Sequence, residues 1–119
     1  MLKISKQSMD ALKQVHEKRF ADYMMDYLNR EVPEVVQDAT PEELQEFICD
    51  GIQRGRTHGF EEGTHIEQYI LYMAWVGSDF DVKEPWAIRI LADDSLEPED
   101  KIFQLEDAIM TEWEGSRGA

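Results

Sequence analysis

The amino-acid sequence predicts an all-α fold: a single-domain bundle of about five helices joined by short loops. Apolar residues recur at helical spacing through almost the whole chain, and helix-capping signals precede two of these segments. No segment shows sustained alternation of apolar and polar residues or an Asn-Gly turn, the features typical of β-hairpins. The 119 residues suit one domain. We therefore predict a helical domain over residues 1–114 and a flexible tail over residues 115–119.

The first predicted helix runs from about Ser8 to Arg30, and Pro33 marks its end or the start of a connection. Its apolar residues form one stripe at helical spacing: Leu12, Val15, Phe20, Tyr23, Met24, Tyr27 and Leu28.

The second predicted helix has the clearest start signal in the chain, in the segment ATPEELQEF. Thr40 suits the N-cap, Pro41 the first helical position and Glu43 the third, which together give a capping box. We expect this helix to reach about His58, where Gly59 ends it.

The end of this helix, in the segment GIQRGRTHGF, carries Arg54, Arg56 and His58. The helix dipole favours positive charge at a C-terminus, whereas phosphate-binding loops place their glycines before a helix N-terminus. Gly51 and Gly55 are four residues apart on one helical face, so we predict that they let a neighbouring group approach closely. The sequence leaves open whether the three basic side chains contact an anion or a partner.

The third predicted helix, in the segment THIEQYILYMAWVG, shows a second capping-box pattern. Thr64 is the expected N-cap, Glu67 follows three residues later, and Gly77 ends the helix. Apolar residues occupy more than one of its faces, so we expect it to be the central and most buried helix.

Two further helices complete the predicted bundle. A short one begins near Pro85 with Trp86, Ile90 and Leu91 facing inward, and the last begins near Pro98. The last helix carries an apolar stripe of Ile102, Leu105, Ile109 and Trp113, with Phe103 and Met110 beside it.

The chain is strongly acidic, with a formal charge of −14 at pH 7. Residues 31–50 contain seven acidic and no basic residues, and residues 84–114 contain ten acidic residues against Arg89 and Lys101. Nucleic acid and anionic membranes would be repelled at long range by this charge. The acidic surface is interpreted either as solubilising or as a docking surface for a basic partner.

The N-terminal segment lacks the apolar stretch of a signal peptide, and no run of about 18 or more apolar residues is present. We therefore expect a cytoplasmic protein. The single cysteine, Cys49, has no partner for an internal disulfide, and we expect it to be buried on the apolar side of the second helix.

Catalytic and metal-binding patterns are weakly represented. The sequence has no H-E-x-x-H motif and no G-x-S-x-G motif, and the segment DDSLEPEDKIFQ lacks the glycine and the final glutamate of a calcium-binding loop. His58 and His65 bracket the turn GFEEGT, where Glu61 or Glu62 would complete a weak candidate metal site. We predict no enzyme activity, cofactor or metal, and keep a small metal-dependent enzyme as an alternative.

Aromatic residues are numerous for a chain of this size, and most are expected to fill the core. A domain this small rarely hides three tryptophans completely, so we expect one or both of Trp75 and Trp86, around the loop GSDFDVKEP, to be partly exposed. An aromatic patch beside carboxylates is typical of a protein interface. The candidate partner-binding residues come from this loop region and the acidic last helix: Trp75, Asp79, Phe80, Asp81, Trp86, Glu106 and Asp107.

The middle of the chain, roughly residues 45–95, resembles a family of small helical proteins that bacteria encode beside type VI secretion effectors and their spike components. The resemblance rests on helix ends and packing aromatics: Gly51-Ile52, His58-Gly59-Phe60, Tyr69, Gly77, Phe80, Pro85-Trp86 and Ile90-Leu91. It implies a non-enzymatic accessory role, either loading a toxin or holding it inactive in the producing cell.

Two interaction roles therefore compete. The first is an adaptor or co-chaperone that binds a secreted effector with a basic surface. The second is an immunity protein whose acidic surface occludes a basic toxin, a role that the charge of −14 suits because attraction raises the association rate. The sequence predicts no oligomeric state.

Overall fold

The computed structural model describes the backbone of residues 6–113 and the side chains of residues 18–111. This part of the chain contains seven α-helices and no strand: α1 (Lys6–Glu31), α2 (Pro33–Val36), α3 (Pro41–Thr57), α4 (Gly63–Val76), α5 (Phe80–Lys83), α6 (Pro85–Leu91) and α7 (Pro98–Ala108). A π-helical turn (Ile109–Trp113) continues α7. Five of the seven helices have seven or more residues, which confirms the predicted all-α bundle.

The two helices that the sequence did not predict, α2 and α5, are single turns of four residues. The helix α2 follows α1 and begins at Pro33, and α5 precedes α6, which begins at Pro85. A segment of four residues is too short for hydrophobic periodicity to be recognised. The predicted tail over residues 115–119 lies outside the described residues, as do the side chains of Leu12, Val15 and Trp113. Within the described range, no helix combines the length and the apolar character that crossing a membrane requires.

The predicted start and end of α3 are confirmed. Thr40 Oγ1 accepts the Glu43 backbone N–H at 3.1 Å, and Glu43 Oε1 accepts the Thr40 backbone N–H at 3.1 Å, which completes the capping box. Gly59 follows the helix with φ +91°, and Gly77 ends α4 with φ +140°. Side chains rarely adopt these positive φ angles, so glycine is required at both ends.

The second predicted capping box is wrong. The helix α4 begins at Gly63 rather than after Thr64, and its N-cap Glu62 makes no side-chain capping hydrogen bond. The backbone N–H groups of His65 and Ile66 donate to the Glu62 carbonyl at 3.1 and 3.0 Å. Because this closes the first helical turn, Thr64 already lies inside the helix and has no N-cap role.

The helix α4 lies at the centre of the core, as predicted, and buries residues on more than one face: Ile66, Tyr69, Ile70, Leu71, Tyr72 and Met73. It packs against α1, α3 and α7. The inward stripe of α3 consists of Leu44, Ile48 and Ile52, spaced four residues apart. Each large apolar side chain buried in this way contributes about 1.5–3 kcal/mol to stability.

One position on α1 departs from the predicted apolar stripe. Tyr23 is 46% exposed, and its hydroxyl donates to Glu67 Oε1 on α4 at 2.7 Å. It neighbours the fully buried Met24 at the edge of the stripe, where a phenol can cover apolar surface and still reach a carboxylate.

The glycines of α3 lie where it faces α4. A Cβ atom at Gly51 would be 2.6 Å from Ile70 Cγ1, and one at Gly55 would be 3.6 Å from Ile66 Cγ1. The first distance is a clash and the second is ordinary van der Waals contact. The side chains of α4 therefore pack more closely against Gly51 than against Gly55.

Candidate functional site

The candidate aromatic patch does not form a single surface. Phe80 and Trp86 are 1% and 4% exposed, and their rings stack with centroids 6.0 Å apart. The prediction of a partly exposed tryptophan is wrong for Trp86, because α6 begins at Pro85 and turns residue 86 to the same inner face as Ile90. Trp75 is half-buried, next to Tyr72, as expected.

Asp81, predicted on the acidic rim of that patch, is a buried carboxylate with 7% exposure. Arg54 Nη1 donates to Asp81 Oδ1 at 2.7 Å, and His58 Nε2 donates to Asp81 Oδ2 at 2.8 Å. Arg54 Nε also donates to Asp50 Oδ2 at 3.0 Å. The basic end of α3 therefore does bind an anion, and that anion is the protein's own Asp81.

Tyr69 completes this cluster from α4. Its ring lies 5.8 Å from the His58 ring and 5.3 Å from the Phe80 ring. Its hydroxyl is buried near the Asp81 carboxylate, but no hydrogen bond of acceptable geometry joins them. Burial, and then the charge of Asp81, raise the pKa of Tyr69 well above its ordinary value, so the phenol stays neutral.

We call these four residues, Asp81, Arg54, His58 and Tyr69, the Asp81 cluster. It joins the end of α3 and the centre of α4 to the single turn of α5, which has only four residues. A buried carboxylate needs such partners because an unpaired charge in the core is costly. The two acceptor oxygens of Asp81 are used by Arg54 of α3 and by the ring of His58 at its C-cap, an arrangement typical of a structural polar network.

The candidate metal site does not assemble from the predicted residues. The Nε2 atom of His58 is occupied by Asp81, while His65 Nε2 lies 3.9 Å from Glu62 Oε2. Among the residues that the structure describes, no group of three or more His, Cys, Asp or Glu side chains is placed to hold a metal ion. Glu61, Glu62 and His65 instead line an open groove together with Glu97 and Glu99.

The prediction for Cys49 is wrong, since its side chain is exposed. The inward stripe of α3 passes through Ile48 and Ile52, and residue 49 lies about 100° around the helix from residue 48. Its thiol is at the edge of a groove between α1 and α3, which Lys18 and Arg56 also line.

The last helix presents the clearest exposed apolar surface. Phe103 is 68% exposed and Met110 is 58% exposed, and Glu106 and Asp107 between them are exposed as well. Phe103, Glu106 and Asp107 share one face of α7 at spacings of three and four residues, and Met110 follows in the π-helical turn that continues the helix. We call them the α7 face. Two of its four residues, Glu106 and Asp107, are predicted partner-binding residues. For Phe103 and Met110 the sequence predicted only that they lie beside the apolar stripe of the last helix.

Asp79 and Asp81 illustrate what sequence reasoning missed. Both are acids of the same loop, yet Asp79 is 42% exposed and pairs with Lys83 at 2.9 Å, while Asp81 is buried. The one hint of Asp81 in the sequence was the basic end of α3, although Arg54 also has a nearby counter-ion in Asp50. Since Arg54 and His58 are 27 and 23 residues away, no local pattern identified their partner.

The aromatic and glycine positions that carry the resemblance to type VI accessory proteins are largely core and helix-end positions in this structure, including Tyr69, Gly77, Phe80 and Trp86. Such positions describe a fold more directly than a function, and the type VI assignment stays a prediction. Comparison of the chain with protein-family models, curated proteins and solved structures gives no match.

Proposed function

We propose that this chain is a non-enzymatic protein-binding module that contacts a basic partner protein through the α7 face. The observation that carries the proposal is the pair of exposed apolar side chains, Phe103 and Met110, with Glu106 and Asp107 between them. Burying a side chain of this size in an interface contributes about 1.5–3 kcal/mol before the costs of association. An aromatic anchor surrounded by polar groups is the usual composition of an interface hot spot.

The charge of the chain indicates the chemistry of the partner. A net charge of −14 attracts basic proteins and repels acidic ones, nucleic acid and anionic membranes. The carboxylates of Glu106 and Asp107 place part of this charge beside the apolar anchors. We therefore expect the partner to present lysine or arginine around an apolar patch, and the association rate to fall with salt.

The role that we propose for this binding is that of a cytoplasmic adaptor or co-chaperone for a type VI secretion effector. This part rests on the resemblance over residues 45–95. An adaptor binds its effector without covering the effector's active site, because it acts by delivery and not by inhibition. Toxicity of the bound effector would then persist in a reconstituted complex.

A second candidate, an immunity protein, is favoured by the groove between the α3–α4 turn and the start of α7. Four carboxylates line it, from Glu61, Glu62, Glu97 and Glu99, and its volume is about 620 Å³. Such a groove suits a basic protrusion of a toxin, and occupying it would cover the surface that a nuclease uses for its anionic substrate.

The experiment is affinity capture from the native host, at low and high salt, with mass spectrometry of the recovered proteins. Wild-type chain is compared with the double variant Phe103→Ser, Met110→Ser and with the control Val82→Ser, which changes an equally exposed valine on α5. We expect one basic partner with the wild type and the control, and its loss with the double variant. Recovery of the same proteins with all three chains would contradict the proposal.

Co-expression of the captured partner then separates the two roles. Neutralisation of a toxic partner by the wild-type chain, lost on Glu61→Gln, Glu62→Gln substitution, would favour the immunity role. Binding without neutralisation would favour the adaptor role.

A further inference from the structure

A second surface, distinct from the α7 face, lies between α2, α3 and α4. It is a groove of about 350 Å³, and we call it the α2–α4 groove. Its apolar walls come from Val35, Ala39, Leu44, Phe47 and Ala74, and Gly77 lies at one end. The volume is at the lower end of the range for protein ligand sites and suits one or two large side chains.

The apolar walls of this groove are partly open to water. Val35 is 47% exposed, whereas Phe47 and Ala74 are half-buried and pack against the core. Apolar surface of this kind is favourably covered by an apolar side chain of another molecule.

The segment that supplies six of the ten residues lining the groove is acidic, although its first and last acids, Glu31 and Asp50, pair with Arg30 and Arg54. Residues 31–50, which contain α2 and the first half of α3, carry seven carboxylates and no basic residue, and all seven carboxylates are exposed. One of them, Glu43, lines the groove itself. A charged occupant that fits here must therefore be positive.

The C-terminal end of α4 adds to this negative potential. The last turn of α4, which contributes Met73 and Ala74 to the groove, has no basic side chain, and neither has the last turn of α2. The C-terminus of a helix carries partial negative charge on its unpaired carbonyl groups, and a cation there is stabilising.

We propose that the α2–α4 groove binds an amphipathic, positively charged helix of a partner protein, which inserts an apolar side chain between α2, α3 and α4. The described part of the chain has no strand, so addition of a partner strand to a sheet edge is not available. Proline-rich ligands use grooves lined by several aromatic rings, whereas Phe47 is the single aromatic residue lining this one. A helix laid in an apolar groove with basic residues at its edges matches both the apolar lining and the charge.

The test uses the full chain and a synthetic helical peptide of leucine and lysine, ~14 residues or about four turns long, with all leucines on one face. Binding is measured by calorimetry and mapped by amide chemical shifts of the isotope-labelled protein. We expect saturable binding with the largest shifts at Ala39, Phe47, Ala74 and Gly77. A serine and lysine peptide of equal charge should bind at least about tenfold more weakly, because the apolar contact is missing.

Matched variants separate the groove from general electrostatic attraction. Val35→Lys places a positive charge at the groove, and Val82→Lys makes the same exchange at another exposed valine of a single-turn helix, α5. We expect the first variant to bind the leucine and lysine peptide at least about tenfold more weakly than the second. Ala39→Trp, which fills the groove from an exposed position, provides an independent variant with the same expected loss.

Equal binding by Val35→Lys and Val82→Lys would overturn the inference, and so would shifts that cluster on the α7 face instead of the groove. Equal binding of the two lysine peptides would do the same, since it would show that charge alone is recognised. The outcome is independent of the α7 proposal because the groove is formed by α2, α3 and α4. A Phe103→Ser, Met110→Ser chain should therefore bind the peptide normally.

Discussion

Replacing each of the two α3 glycines with alanine should change stability in opposite directions. Alanine is about 1 kcal/mol more favourable than glycine inside a helix, and this gain is the same at Gly51 and Gly55. The neighbours differ. At Gly51 the new Cβ would be 2.6 Å from Ile70 Cγ1 and 3.2 Å from Met73 Sδ, while at Gly55 no atom comes nearer than 3.6 Å.

The clash at Gly51 is difficult to relieve. Ile70 is fully buried, its Cγ1 is not the free end of the side chain, and the χ1 angle of a β-branched residue in a helix has one strongly preferred value. Overpacking of a core costs about 1–3 kcal/mol, and a contact this short belongs at the upper end. We therefore expect Gly51→Ala to lose about 1–2 kcal/mol net of the propensity gain, and Gly55→Ala to gain about 0.5–1 kcal/mol.

The assay is urea and thermal unfolding followed by circular dichroism, with both variants and the wild type under one set of conditions. At about 4 °C per kcal/mol for a domain of this size, the two melting temperatures should differ by roughly 8 °C. A Gly51→Ala protein as stable as Gly55→Ala would refute the reasoning, because it would show that α3 and α4 are not in close contact at residue 51.

Two further predictions concern the polar groups that fix α3. Asp81→Asn should lower the free energy of unfolding by about 2 kcal/mol, less than the ~3–5 kcal/mol of a fully buried pair because Arg54 is 33% exposed. Urea denaturation checks this, and an equal effect from Asp79→Asn, an exposed acid of the same loop, would contradict it. Thr40→Ala should cost about 1 kcal/mol at neutral pH by removing the N-cap. The backbone N–H and the hydroxyl of Thr40 hold the pKa of Glu43 below its ordinary value. The Glu43 carboxylate therefore contributes fully to stability above its ordinary pKa, and this contribution is lost as the pH falls through the lowered pKa. The difference between wild type and Glu43→Ala should therefore shrink in acid, and a constant difference across pH would show that the Glu43 half of the capping box contributes nothing.

Local signals in the sequence were enough to locate most helix boundaries. The box of Thr40 and Glu43, and the stops at Gly59 and Gly77, are made within a few residues of chain, so composition and spacing identify them. The same reasoning failed at Thr64, where a hydroxyl three residues before a glutamate matched the pattern but the Glu62 carbonyl had already closed the first turn. A capping-box pattern therefore does not mark the start of a helix where the backbone before it already forms the first helical turn.

The candidate site was predicted less completely than the fold. Glu106 and Asp107 are exposed, as a docking surface requires, but Phe80, Trp86 and Asp81 belong to the interior. The loop around residues 77–85 is too short for hydrophobic periodicity to show which side chains turn inward. The single turn of α5 decides this by directing Phe80 and Asp81 to the core.

The sequence by itself determined the helical architecture, the central position of α4 and the strong negative charge, because each follows from short-range spacing or from composition. Only the tertiary structure decided which charges are exposed and which are neutralised. Arg54 and His58 meet Asp81 because the fold brings the single turn of α5 to the C-terminal end of α3, across more than 20 residues of chain. The arrangement of the helices also left Phe103, Met110 and the α2–α4 groove uncovered, since whether an apolar side chain is buried depends on which helix lies opposite it and not on its own position in the sequence.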